Sequence, residues 1–159
     1  MRKEIWKYLN RFIDMALMKT DEDRSRFFGL FKKLILRVRI SEANSPIYLI
    51  RYSLFTCPWF AVKLHKIMLS DDDCMHDHPW SFISIILKGG YVEHTPKGKR
   101  LYRVGSVLWR PIPSVHRLEI FQPATTLVIT FRKIGVWGFY TPNGFIEWFN
   151  FIRAGKRCE

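Results

Sequence analysis

A chain of 159 residues has room for one domain with a real core and not for two. At 48% hydrophobic and 16% aromatic it is not a disordered chain, and its longest apolar runs, Phe82 to Leu87 and Leu127 to Phe131, are far too short to cross a bilayer. Its 26 basic residues outnumber 14 acidic ones, and the formal charge of +12 favours an anionic partner.

In chain order, the first forty residues read as helical. Ile5, Leu9, Phe12, Ile13, Ala16 and Leu17 recur at helical spacing. "TDEDRS" then offers capping side chains for a second segment, "RFFGLFKKLILRV", with Phe27, Phe28, Phe31, Leu34 and Ile35 on one apolar stripe. A basic amphipathic helix can lie on a membrane surface, but packing against the domain is the commoner use and the one expected here. No signal-peptide pattern opens the chain.

From Pro46 the pattern turns to short β-rich runs. "IYLIRYSLF", "FAVKLHKIML", "FISIIL", "YVEHT", "RLYRV", "SVLWR", "HRLEIF" and "TLVITFRK" are strand-length and rich in Ile, Val, Tyr, Phe and Thr. "CPW", "SDDD", "KGG", "TPKGK", "PIPS" and "QPA" supply turns between them. Strands at this spacing without intervening helices predict an antiparallel sandwich or barrel. The aromatic-dense "WGFYTPNGFIEWFNF", turning at "TPNG", is expected to close one end or cover a sheet edge. The chain therefore divides into a helical extension, residues 1–40, and a β-barrel domain, residues 41–159. Cys57, Cys74 and Cys158, odd in number and widely spaced, read as reduced thiols of a cytoplasmic protein.

The stretch "MHDHPWSF" carries the chemistry. His76 and His78 alternate onto one face of an extended backbone, about 6.5 Å apart along it, and Pro79 ends the strand. A third histidine, His116, follows "GSVLWRPIPSV" at the start of a later strand. Asp77 alternates to the opposite side and is expected to face out; Asp71, Asp72 and Asp73 read as a solvated turn. His65, inside an apolar strand, reads as a core or supporting histidine, and Cys74 as a loop thiol.

These stretches resemble the cupin superfamily. Its first motif runs Gly, five residues, His-x-His, three or four residues, Glu, six residues, Gly. Ser70 stands at the first glycine, His76 and His78 match, and Gly89 or Gly90 closes the motif, while Phe82 or Ile83 stands in place of the glutamate. In the second motif Gly105, Pro111 and His116 match in register, with Pro113 for the second glycine and Ile120 for the asparagine. The likeness spans roughly residues 60 to 132. It implies an all-β, cupin-type double-stranded β-helix (a jelly-roll barrel) carrying the N-terminal α-helical extension, with a divalent metal on His76, His78 and His116.

The missing glutamate shapes the chemistry the resemblance implies. Three neutral imidazoles leave the ion its full charge, as in cupin dioxygenases that hold Fe(II) on three histidines. Glu93 or His94 on the next strand can supply a fourth ligand, depending on a one-residue register choice. The expected activity is that of an Fe(II) dioxygenase acting on a small anionic substrate, with Mn, Ni or Zn as other candidate metals and Arg103 and Arg110 as candidate substrate clamps. Two alternatives stay open: a metal-dependent isomerase or lyase, and a non-catalytic cupin binding module for an anionic small molecule. Nucleic acid is a less favoured partner, because no nucleic-acid module accompanies the charge. A homodimer is compatible with the sequence.

Overall fold

The computed structural model describes residues 36–40, 46–71, 74–153 and 158. The helices expected within residues 1–35 lie outside them. Among the described residues, twelve strands and one short helix follow in order: β1 (Leu36–Ile40), β2 (Leu49–Thr56), β3 (Phe60–Ile67), β4 (Met75–His76), β5 (Phe82–Lys88), β6 (Gly90–Thr95), β7 (Gly98–Arg103), β8 (Val107–Arg110), β9 (Arg117–Glu119), β10 (Ala124–Phe131), β11 (Gly138–Thr141), β12 (Gly144–Glu147) and α1 (Trp148–Arg153). Leu36–Ile40, inside the segment with helical spacing, is a strand paired antiparallel to β2. Its β-branched alternation, "LRVRI", suits a sheet edge, and tertiary pairing overrides the local period.

One wall is a six-stranded sheet in the order β1-β2-β3-β10-β5-β8. Side chains alternate between its faces, so cross-strand partners share a side. Leu49, Ile67, Ile86, Leu108 and Ala124 point inward and pack on Tyr91 of β6 to form the core. Tyr52, Leu64 and Leu87 form a second buried cluster with Ile85 and Leu127 on the other face.

The opposing wall consists of two three-stranded sheets, β12-β11-β4 and β7-β6-β9. They join at one point: His76 and His116 face each other across an antiparallel bridge and exchange backbone hydrogen bonds of 2.8 and 2.9 Å. Two of the three motif histidines therefore sit on the seam that makes this wall continuous. The turn into β6 depends on Gly89, whose φ is +71°; a Cβ there would stand 2.6 Å from the Pro123 carbonyl oxygen. "TPNG" is the β11–β12 hairpin, and β11 covers the free edge of β4, pairing Phe139 with His76.

The cysteines correct the sequence reading. Cys74 and Cys158 form a disulfide with Cα atoms 5.1 Å apart, while Cys57 is free. Linear spacing cannot reveal this, because 84 residues separate two sulfurs that only folding brings together. Among the described residues no helix is long and apolar enough to cross a membrane.

Candidate metal centre

His76 and His116 come from paired strands, and His78 from the two residues of extended chain beyond β4. Their rings lie within 5.0–5.1 Å of one another, centroid to centroid. One ligand nitrogen from each falls within 4.8 Å of the others, and the Nε2 atoms of His78 and His116 are 2.9 Å apart. An ion held by imidazole nitrogens at about 2.0–2.1 Å brings neighbouring nitrogens to roughly 3 Å of one another. The His78–His116 pair already has that spacing, and the three residues could hold a metal.

Two carboxylates attend the histidines from behind. The Nδ1 of His116 donates to Glu93 Oε1 at 2.6 Å, which puts the proton on Nδ1 and leaves the Nε2 lone pair facing His78. Glu93 is only 2% exposed and is also gripped by Arg110, whose Nε donates to Oε1 at 2.8 Å and whose Nη2 donates to Oε2. Arg110 Nη2 reaches Tyr102 Oη at 3.2 Å. Burial alone would raise the Glu93 carboxyl; hydrogen bonds from His116 and Arg110 outweigh it and hold the group below the usual carboxylate range. Asp71 Oδ2 lies 3.9 Å from His76 Nδ1 and accepts the Leu118 amide at 2.6 Å, and its Oδ1 accepts from Tyr48.

The structure thus places the predicted residues differently. His76, His78 and His116 converge. Glu93 points inward but presents its oxygens to His116 and Arg110. His94 turns to the other face of β6, its Nε2 2.6 Å from Glu119. Arg110 holds Glu93, and Arg103 is exposed on β7. Asp71 is not a solvated turn residue: its side chain is 6% exposed and ties β9 to the strand entry. Asp72 and Asp73 lie outside the described residues. Asp77 does alternate away from the histidines, yet it is buried, accepting the Gly138 amide at 2.9 Å and the Tyr140 hydroxyl at 3.2 Å. Solvent was the wrong neighbour because β11 packs there.

Sequence reasoning missed Arg51 and Lys63. Arg51 pairs with His65 across β2 and β3, and Lys63 with Ser53, all on the inward face that holds Ile86 and Leu108. Arg51 Nε donates to His65 Nε2 at 3.1 Å, and Lys63 Nζ stands 4.6 Å from the Trp80 ring, two residues beyond His78. The available signal was a charge at the inward parity of a strand.

Burial and the neighbouring cations hold His65 at about 3, and burial with the other imidazoles pushes His78 well below its ordinary value. A base whose folded pKa is lowered leaves the unfolded chain binding more protons, so stability is intact above about 6.5 and falls as pH drops toward the folded value. Metal-free protein is therefore expected to lose about 2 kcal/mol between pH 7 and pH 5 through His65 alone. Urea denaturation of wild type and His65→Gln at both pH values checks this: the variant's loss should be smaller by about that amount.

A jelly-roll wall closed at a pair of histidines, with a third beside them, defines the class: a β-barrel in which three imidazoles could hold an ion. No protein-family model and no curated protein sequence matches the chain. Solved structures do. A cupin-2 domain protein from Rhodospirillum rubrum matches at TM-score 0.58 and 13% identity, over 69% of this chain and 78% of that one. A sugar phosphate isomerase of the cupin superfamily from Silicibacter pomeroyi matches at TM-score 0.50 and 18% identity, over 72% and 88%. The Fe(II) form of HppE matches at TM-score 0.51 and 12% identity, over 63% of this chain and 58% of that one. The fold is that of the cupin superfamily.

Proposed function

We propose that the protein is a metal-dependent cupin enzyme, an Fe(II) dioxygenase acting on a small anionic substrate, with the ion held by His76, His78 and His116. The observation that carries this reading is the Glu93–His116 contact at 2.6 Å, which fixes one imidazole with its free nitrogen toward the other two. A carboxylate behind a histidine is the usual support of a metal ligand. The Fe(II) state of one structural neighbour agrees with the choice of ion.

When bound, a ferrous ion would supply redox chemistry with O₂ and polarise a substrate oxygen. The chain's own residues do the rest. Glu93 and Arg110 hold His116 in one tautomer, and the Asp71 carboxylate lies on the Nδ1 side of His76. Phe82 packs edge-on to His78 at 5.0 Å, and Trp137 and Phe139 stand 6.2 and 6.0 Å from His76, limiting water around the nitrogens. None of the three grouped side chains is a carboxylate, so the site favours a negatively charged ligand. The isomerase reading keeps the same site without O₂, and the sugar phosphate isomerase neighbour speaks for it.

Purified protein is expected to carry about one divalent ion per chain, with His76→Ala and His116→Ala each removing it. Elemental analysis tests the site. Oxygen-electrode assays of the iron-loaded protein with a panel of small carboxylic and phosphorylated acids test the reaction. Unchanged metal content in both variants would move the site elsewhere. Turnover without O₂ uptake would select the isomerase.

A further inference from the structure

The inward face of the six-stranded sheet is apolar at one end and cationic at the other. Leu49, Ile67, Ile86, Leu108 and Ala124 make the apolar end. Arg51 on β2 and Lys63 on β3 rise from the same face, toward the end where β10 meets the loop after His78. That loop is fixed to β10 and its extension by Phe131 N donating to Ser81 O at 3.0 Å and Ile134 N donating to Pro79 O at 2.7 Å. The buried hydroxyls of Thr126, Thr130 and Ser84 line the surface beside the two cations.

Among the described residues neither cation is neutralised within the barrel. Among the described residues, no carboxylate lies within 4.0 Å of Arg51 or Lys63. Arg51 donates to His65, an uncharged acceptor, and Lys63 lies over the face of Trp80. Two like charges on one half-buried face repel each other and lose hydration, a costly arrangement that a bound anion offsets. The lowering of Lys63 to about 8, by burial and then by Arg51, reports that cost. Across the interior, Trp80 under Lys63 stands two residues beyond His78, and Phe82, on the same inward face as Ser84 and Ile86, packs edge-on to His78 at 5.0 Å.

We propose that the substrate has two ends: one that reaches the His76–His78–His116 centre, and a second oxyanion, phosphoryl or carboxylate, clamped by Arg51 and Lys63 on the facing wall. This rests on the metal reading for its first end and on the sheet's inward face for its second. Arg51 offers a planar fork suited to two oxygens, and Lys63 a point charge beside it. His65 is a positioning residue: accepting from Arg51 Nε, it fixes one edge of the guanidinium. A substrate held at both ends is discriminated by length, which the metal centre alone cannot do.

Inorganic phosphate, titrated calorimetrically into EDTA-treated protein at constant ionic strength, probes the clamp without the metal. Saturable binding is expected, weakened about ten- to hundredfold in Arg51→Gln and in Lys63→Met, and unchanged in Lys97→Met, which removes an exposed turn lysine. Co(II) absorption spectra report the other end separately: Co(II) affinity should survive in Arg51→Gln and Lys63→Met and disappear in His76→Ala, which still binds phosphate. If a variant fails to fold, protection of Lys63 from acetic anhydride by phosphate, read by mass spectrometry on wild type, gives the same answer. Phosphate binding unaltered in both clamp variants, an equal loss in Lys97→Met, or no protection of Lys63 overturns the clamp. Phosphate behaving as expected while wild type binds no Co(II) overturns the two-ended substrate through its metal half.

Discussion

Replacing Glu93 by alanine is expected to destabilise the protein by about 3–5 kcal/mol and to weaken metal binding about ten- to hundredfold. The stability loss arises because Arg110, its guanidinium largely buried against Glu93, is left without a counter-charge. The metal loss arises because His116 is released from its orienting acceptor. Glu93→Gln keeps an oxygen for the His116 N–H and should retain more metal affinity than alanine. Arg110→Met strands the carboxylate instead, and the double variant Glu93→Gln/Arg110→Met should cost less than the two single changes added together. Urea melts and competitive metal titrations on wild type and the four variants read both quantities. The series also decides between two roles for Glu93. As the support of His116 it needs Arg110, so Arg110→Met weakens metal binding. As a fourth ligand it would be freed by the same change, and affinity would rise.

Breaking the Cys74–Cys158 bond is the second large effect. The bond closes a loop of 84 residues, and the chain-entropy account of cross-links gives about 4–5 kcal/mol for such a loop, against a usual range of about 2–5 for native bonds. Cys158→Ser, or wild type in dithiothreitol, should therefore unfold at markedly lower urea, and the reductant should add nothing to Cys158→Ser. Cys57→Ser is expected to behave as wild type, its thiol donating only a weak hydrogen bond to Phe60 O at 3.3 Å. Thiol titration in denaturant gives the direct count: one reactive sulfur for the bonded chain. Three would show that the cysteines are reduced, and the stability difference would then vanish. The bond also anchors the approach to the three histidines, since Cys74 lies two residues before His76.

The barrel was legible because its strands alternate and its turns carry Gly, Pro, Asn and Asp. A period of two states which residues share a face, and the "KGG" and "TPNG" turns state where the chain reverses. His76 and His78 were legible as a pair because His-x-His on extended chain shares a side, and the resemblance to the second cupin motif added His116. The neighbours of those residues were not. Whether Asp77 meets solvent or β11 depends on a strand that begins sixty-one residues later and pairs with the edge of β4. Asp71 reads as one of three acidic turn residues until the Leu118 amide and the Tyr48 hydroxyl reach it from distant strands.

Alternation determined that Glu93 and His94 face opposite ways, but a one-residue register decided which of them turns inward. That register is set by β6 pairing with β9, where Glu93 meets Leu118 and His94 meets Arg117. The sequence by itself therefore determined strands β2, β3 and β5 to β10 and the turns, which are properties of local period, and the motif resemblance grouped the three imidazoles. Only the tertiary structure decided that Glu93 serves His116, that Arg51 meets His65 and Lys63 meets Trp80, and that Cys74 finds Cys158. Each of these is a contact between residues far apart in the chain, fixed by pairing and packing that no local pattern encodes.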